Sequence, residues 1–311
     1  MISSQSLRNS LSREFPINKD PIMNEKSELY FMGSCFSDEI SQRFHQRYIP
    51  TNHNPFGTLF TPRALRRSLE IITEESPINL TDFGGNWHFL DGAYRFHHKD
   101  SENLHLQLQN ICKLAYQQLR QSTHLFLTLG TAIYYEWIAT GVPVANCHKI
   151  PQNNFIKKRF AFSEIEADLY HIQDIVAKHF PKLQLIYTVS PVRHLRDGIQ
   201  ENSKSKSLLI AALHEYLEKN PSVKYFPSFE ILNDELRDLR FFKPDLMHPN
   251  TWSVDYIFTR LVETYATMEL ENYLDKAETV RNAENHKVKA ENLTSLTDWN
   301  WEEKRTELLN S

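Results

Sequence analysis

"ELYFMGSCFSDEI", residues 28–40, reads as a buried strand that stops at a glycine and hands over to a helix. Leu29, Tyr30, Phe31 and Met32 form the short apolar and aromatic run expected of a strand buried on both faces. Gly33 then allows a turn or a close backbone approach. Ser34 and Cys35 stand side by side where the helical pattern begins. "HLFLTLG" ends the same way at Gly130, and the short extended run "RYIPTN" leads into "NPFG" at Gly57. With only eight glycines in 311 residues, three at such junctions predict loops gathered at the carboxyl edge of one sheet. Open α/β folds bind ligands there.

Strand and helix patterns alternate further along. "SEIEADLYHIQDIVAKHF" (163–180) sets Ile165, Leu169, Ile172 and Val176 on one helical face, with Ser163 and Glu166 at capping-box spacing. A fourth strand, "LQLIYTVSPV" (183–192), follows it. Next come a helix, "SKSLLIAALHEYLEKN" (205–220), and a fifth strand, "VKYFPSFEIL" (223–232). "TWSVDYIFTRLVETYATMELENYL" (251–274) reads as one long helix. The alternation predicts an α/β fold, a parallel sheet of about five strands covered on both faces.

Two insertions break this rhythm, a hairpin around Asp91-Gly92 in "GGNWHFLDGAYRF" and another around Thr140-Gly141 in "YYEWIATGVPVANC". Their aromatic residues Trp87, Tyr134, Tyr135 and Trp137 predict walls beside the ligand edge. The expected division is an N-terminal extension at 1–27, one α/β domain at 28–275, and a polar, helical C-terminal tail at 276–311.

Composition narrows the function classes. The chain is 41% hydrophobic and 24% charged, with a net charge of −4. No basic stripe suits it to nucleic acid. No apolar run is long enough for a secretory signal or a membrane span. Cys35, Cys112 and Cys147 are odd in number and widely spaced, so no disulfide framework is expected, and a reducing, cytoplasmic location is.

The eight residues "KPDLMHPN" (243–250) carry the strongest chemical signal. Asp245 and His248 are three apart, ahead of a helix that Pro249 and Asn250 can begin. One turn of chain lets the carboxylate accept a hydrogen bond from Nδ1, leaving Nε2 as a general base. The same spacing also describes a surface ion pair. Arg193 in "SPVRHL" follows the fourth strand and can hold an anionic substrate group through its planar fork. Lys149 can do the same. Cys147 and His148, taken with Cys35 and His248, allow a metal site to be imagined, without any tight ligand pair to support it. Cys112 falls on a helical apolar stripe and reads as core. His97, His98 and Trp87 read as surface or packing residues.

Taken together, "MGSCFSDEI", "NPFG", "TLGTA" and "DLMHPN", with "NCHKIP" and "SPVRHL", resemble the GSCFA family of the SGNH, or GDSL-like, hydrolases over about residues 28 to 265. The resemblance implies a flavodoxin-like α/β/α sandwich and the cleavage or transfer of ester-linked acyl groups without a cofactor. It sets Cys35 at the position of the superfamily's nucleophilic serine and Ser34 at that of its aspartate. By the same comparison Asp245 and His248 match the Asp-x-x-His dyad, and Gly57 matches the glycine that donates its N–H to the oxyanion. Two departures stand out. Ala132 occupies the position of an asparagine that completes the oxyanion hole, so Asn54, Thr131 or Asn146 becomes a candidate donor. Cysteine replaces serine, and a helix N-terminus with a nearby His⁺ is expected to lower its pKa.

Ser34 remains the alternative nucleophile, and Cys35 the alternative packing residue above a Ser34 helix cap. The expected function is an acyl-ester hydrolase or O-acyltransferase acting on a small-molecule or carbohydrate-linked ester. A non-catalytic binding or scaffold module and a metal-binding protein are the alternatives.

Overall fold

Every residue of β1 (Leu29–Gly33) is buried, which requires a central position in a sheet. The computed structural model describes residues 15–291 and 306–307 and gives β1 that position. After it come α1 (Cys35–His45), β2 (Thr51–His53) and α2 (Pro62–Ile72). The first antiparallel insertion is β3 (Thr81–Phe83), β4 (Asn86–His88) and β5 (His97–His98), followed by α3 (Ser101–Gln121). Then β6 (His124–Leu129) precedes a second insertion, β7 (Ile133–Trp137), β8 (Val142–Val144) and β9 (Phe155–Arg159). The chain continues through α4 (Phe162–His179), β10 (Gln184–Val189), α5 (Ile199–Lys219) and β11 (Lys224–Phe226). Two further helices follow, α6 (Thr251–Tyr265) and α7 (Met268–Glu291).

The main sheet runs β11-β10-β6-β1-β2, with every pairing parallel. Counting its own five strands in chain order, this is 2-1-3-4-5, the flavodoxin-like order. The order reverses between β1 and β6, which makes their carboxyl ends the topological switch point of the sheet. The expected α/β/α sandwich is the observed fold.

Side chains alternate across the sheet. Tyr30, Met32, Leu127 and Tyr187 join α2, α3, α4 and α5 in one core. Phe31, Phe126 and Ile186 face α1, α6 and α7 in the other. Phe31 stacks on Phe126 with ring centroids 4.7 Å apart, a geometry that contributes about 0.5–1.5 kcal/mol beyond area burial.

Several local expectations need correction. The cap of α4 is Ala161 rather than Ser163, and Glu164 accepts from the Ala161 N–H at 2.7 Å. Alanine has no side-chain acceptor, so only this half of a capping box exists; Glu166 pairs with Lys219 instead. The stretch 251–274 is two helices. Ala266 leaves the helix to bridge Met23, whose carbonyl accepts from the Thr267 N–H at 2.8 Å.

In the first insertion the tight turn lies at Gly84-Gly85, where φ is +63° and +78°. Both positive values suit a type I′ turn. Asp91-Gly92 instead sits in the longer connection from β4 to β5. The second hairpin turns at Thr140-Gly141 as expected. At the C-terminal end α7 sends Leu270, Tyr273, Leu274 and Ala277 into the core, so the start of the expected tail belongs to the packed body. Most of the rest of that tail, from 292, lies outside the described residues.

Candidate active site

At the end of β1 the backbone takes a conformation that only glycine tolerates. Gly33 has φ +138°, and a Cβ there would stand 2.3 Å from the Thr128 carbonyl oxygen. Its N–H donates to Asn54 Oδ1 at 2.8 Å, and its carbonyl accepts from Leu59 N–H at 2.8 Å. Gly130 N–H donates to the Phe60 carbonyl at 2.7 Å. The glycine junctions read from the sequence are therefore knitted together at the switch point of the sheet.

Ser34 caps α1. Its Oγ accepts from Phe36 N–H at 3.3 Å and donates to Ser190 Oγ at 3.0 Å. The residue is 0% exposed. Its hydroxyl is thus a strut between α1 and the end of β10, out of reach of substrate.

Cys35 is the first residue of α1 and half-buried. It lines a cavity of about 310 Å³ with Phe36, Glu39, Lys243, Asp245 and His248. At the first helical position its N–H has no intrahelical acceptor. Burial nevertheless raises the thiol pKa above its usual value, with the charges of Asp38 and Glu39 acting in the same direction. Its backbone N–H and Lys243 pull the other way. This corrects the expectation of a thiol whose pKa is lowered by its helix N-terminus and a nearby His⁺. The carboxylates one turn along α1 stand on the same side and oppose the helix dipole.

Asp245 and His248 form the hydrogen-bonded pair that their spacing allows. Asp245 Oδ2 stands 2.7 Å from His248 Nδ1, while Oδ1 accepts from the N–H groups of Met247 and His248 at 2.9 and 3.0 Å. These bonds hold the carboxyl at about 2, below its usual 3.8. An ionised carboxylate can only accept, so Nδ1 carries the proton and Nε2 is free. Leu246, at φ +56°, makes the turn. Arg193 N–H donates to the Met247 carbonyl at 2.9 Å and so ties the dyad loop to the end of β10.

Cys35, Asp245 and His248 thus line one cavity, and Gly57, Asn54, Thr131, Asn146 and Arg193 are not among its lining residues. Gly57, at φ +81° and tight against Ala93, donates its N–H to the Asn54 carbonyl at 2.8 Å. That N–H is spent on a turn. Asn54 accepts from Gly33 and donates through Nδ2 to Asp38 Oδ1 at 2.6 Å, so it clamps β1 to α1. Thr131 Oγ1 pairs with Ser205 Oγ at 2.9 Å, and Ala132 N–H donates to the same hydroxyl at 2.7 Å. Asn146 Oδ1 accepts from His148 N–H at 2.8 Å within its own loop. The Arg193 guanidinium lies over the Phe242 ring, 5.0 Å from its centroid.

Nor do Trp87, Tyr134, Tyr135 or Trp137 line this cavity. Trp87 and Tyr134 pack on the main core, and Trp137 joins Leu90, Ile150 and Phe155 in a small one. Among the described residues no three His, Cys, Asp or Glu side chains assemble as metal ligands.

Two charged lining residues were missed by the sequence reading, Glu39 and Lys243, which stand 3.5 Å apart. Both carried a signal. Glu39 lies four residues after Cys35 on the same helical face, and Lys243 opens the dyad motif.

The sequence matches the GSCFA family over residues 28–261. The chain belongs to the GSCFA family. No protein with a curated description matches it. Among solved structures, this GSCFA protein is similar to one assigned as a GDSL-like lipase from Parabacteroides merdae ATCC 43184. Identity is 12%, coverage 80% of this chain and 98% of that one, and the TM-score 0.42. It is also similar to one assigned as an acylhydrolase from Bacteroides fragilis NCTC 9343, at 10% identity, 87% and 93% coverage and TM-score 0.41. A carbohydrate esterase family 3 protein from Talaromyces cellulolyticus shares 7% identity, with 76% and 94% coverage and TM-score 0.39.

Proposed function

We propose that this GSCFA protein is an acyl-ester hydrolase or O-acyltransferase whose nucleophile is Cys35. One observation carries the reading: a thiol at a helix N-terminus and an Asp–His dyad with a free Nε2 line the same cavity. In the reaction, Nε2 of His248 takes the thiol proton and Sγ attacks the ester carbonyl carbon. The Cys35 N–H faces the developing oxyanion. Collapse breaks the C–O bond, His248 returns its proton to the leaving alkoxide, and a thioester remains on Cys35. Water, or a second hydroxyl in transfer, then attacks the thioester with His248 again as base. Asp245 holds the imidazole throughout.

Phe36, Val192, Pro249 and Val254 give the cavity apolar walls, and Glu39 and Lys243 give it a charged rim. About 310 Å³ suits a short acyl group on a polar carrier such as a sugar. The test is acylation by a p-nitrophenyl acyl ester, followed by nitrophenolate release and by intact mass. A thioester adduct mapped to Cys35 supports the reading, and no adduct with no turnover removes it. The second reading, a binding module on this fold, is favoured by the oxyanion donors. Ala132 supplies none and the Gly57 N–H is already bonded, and one missing donor typically costs about 10²–10³ in rate.

A further inference from the structure

The two charges on the rim of the Cys35 cavity are unequally partnered. Glu39 Oε2 accepts from buried Arg43 Nη1 at 2.9 Å, and the same guanidinium bonds the Glu39 carbonyl and Asp255. Lys243 has no such support. Its Nζ stands 3.5 Å from Glu39 Oε1, longer than a good hydrogen bond. Among the described residues no other carboxylate comes within ion-pair distance of it. An ammonium has three donors, and this side chain is 44% exposed, so its charge is solvated.

The Lys243 backbone has a separate task. Its N–H donates to the His248 carbonyl at 2.7 Å, and its carbonyl accepts from Leu246 N–H at 2.9 Å. The dyad loop is therefore held by main chain, and the side chain is left over. No other lysine or arginine lines the cavity among the described residues. A negative group placed near α1 meets Asp38 and Glu39, which already oppose charge on the Cys35 thiol. Asp245 adds an ionised carboxylate. An anion is favoured only beside Lys243, and a single ammonium balances a single charge. A cation at Glu39 would have to displace buried Arg43 and sit beside Lys243.

We propose that Lys243 is a specificity-determining residue that binds a carboxylate on the alcohol side of the ester whose carbonyl lies at Cys35. Glu39 is its partner in the empty cavity and yields it to the substrate. Phe36, Val192 and Val254 take the acyl group. The proposal deepens the ester-hydrolase reading, on which its kinetic test rests.

Two aryl acetates of one shape read the selection: p-acetoxybenzoate carries the charge and p-acetoxybenzamide lacks it. The quantity is the ratio of their kcat/KM values, from which a general loss of activity cancels. Lys243→Met should lower that ratio about three- to tenfold, and Lys243→Arg should keep most of it. Lys243→Glu should lower it further by repulsion. Glu39→Gln should raise it, because the competing carboxylate is gone. An unchanged ratio in folded Lys243→Met overturns the proposal. If that variant does not fold, salt decides on the parent: molar salt should shrink the ratio, and a ratio indifferent to salt overturns the proposal. If neither ester is turned over, the hydrolase reading falls, and calorimetry with the stable amides p-acetamidobenzoate and p-acetamidobenzamide tests Lys243. The parent should bind the benzoate about three- to tenfold tighter and Lys243→Met should bind both alike; equal or absent binding in the parent overturns the proposal. Turnover lost in Cys35→Ala with an unchanged ratio in Lys243→Met keeps the hydrolase and rejects the Lys243 role.

Discussion

Replacing Ser34 by alanine separates structure from chemistry at the GSCFA turn. The change removes the cap bond to Phe36 and the buried bond to Ser190. Loss of a serine cap costs about 1 kcal/mol, and loss of a buried hydrogen bond about another 1. A total of about 2 kcal/mol lowers Tm by roughly 4–8 °C in a domain of this size. Ser190 Oγ keeps its bond from Val192 N–H, so no orphaned acceptor adds to the cost. Turnover of a p-nitrophenyl ester, measured well below the lowered Tm, should stay within about threefold of the parent, because Ser34 touches no substrate. Cys35→Ala should show the opposite, a small change in Tm and loss of all turnover. Calorimetry and initial rates on the same preparations give both readings. Dead but fully folded Ser34→Ala, beside active Cys35→Ala, would refute the assignment and make the buried hydroxyl the nucleophile.

Three further outcomes follow from the same geometry. Gly33→Ala would force a Cβ against the Thr128 carbonyl in a left-handed conformation; a loss of about 3 kcal/mol or more is expected, read as insoluble expression or a collapsed denaturant midpoint. Asp245→Asn should lower kcat by at least about 10²-fold by freeing the imidazole to adopt the wrong tautomer. In the parent, the carboxylate's hold on His248 is complete above its unfolded value and is lost only as pH falls through about 2. Asp245 protonation should therefore contribute nothing to the acid limb of the rate profile. Iodoacetamide at mildly alkaline pH should label Cys35 before Cys112 and Cys147, both pushed up to about 11 by burial; peptide mapping that finds Cys112 first would contradict this.

The parts of this molecule that could be read in advance are those whose cause is local. An apolar run that stops at glycine, as at Gly33 and Gly130, announces a buried strand and a tight exit. A carboxylate three residues before an imidazole announces a pair that one turn can close. What escaped reading depends on where distant segments meet. Gly57 was a sound candidate donor until the Asn54 carbonyl, three residues earlier, took its N–H. The Asp91-Gly92 pair has hairpin chemistry, yet Gly84-Gly85 makes the turn because Phe89 and Phe96 on either side of Asp91-Gly92 are drawn into the core.

The bridge between Met23 and Ala266 has a practical consequence for anyone dissecting this chain. Residues 20–23 run alongside 264–267, joined by three backbone hydrogen bonds of 2.8 Å. Just beyond, Tyr273 donates its hydroxyl to the Tyr48 carbonyl, and Leu270, Leu274 and Ala277 cover α1 and α6. A fragment trimmed to residues 28–261, the extent of the family match, would lose both sides of this clasp. Phe44, Tyr48 and Leu261 would then meet water as a sticky seam. Such a fragment should self-associate on purification, and a boundary set near residue 15 at one end and past residue 280 at the other should keep it monodisperse.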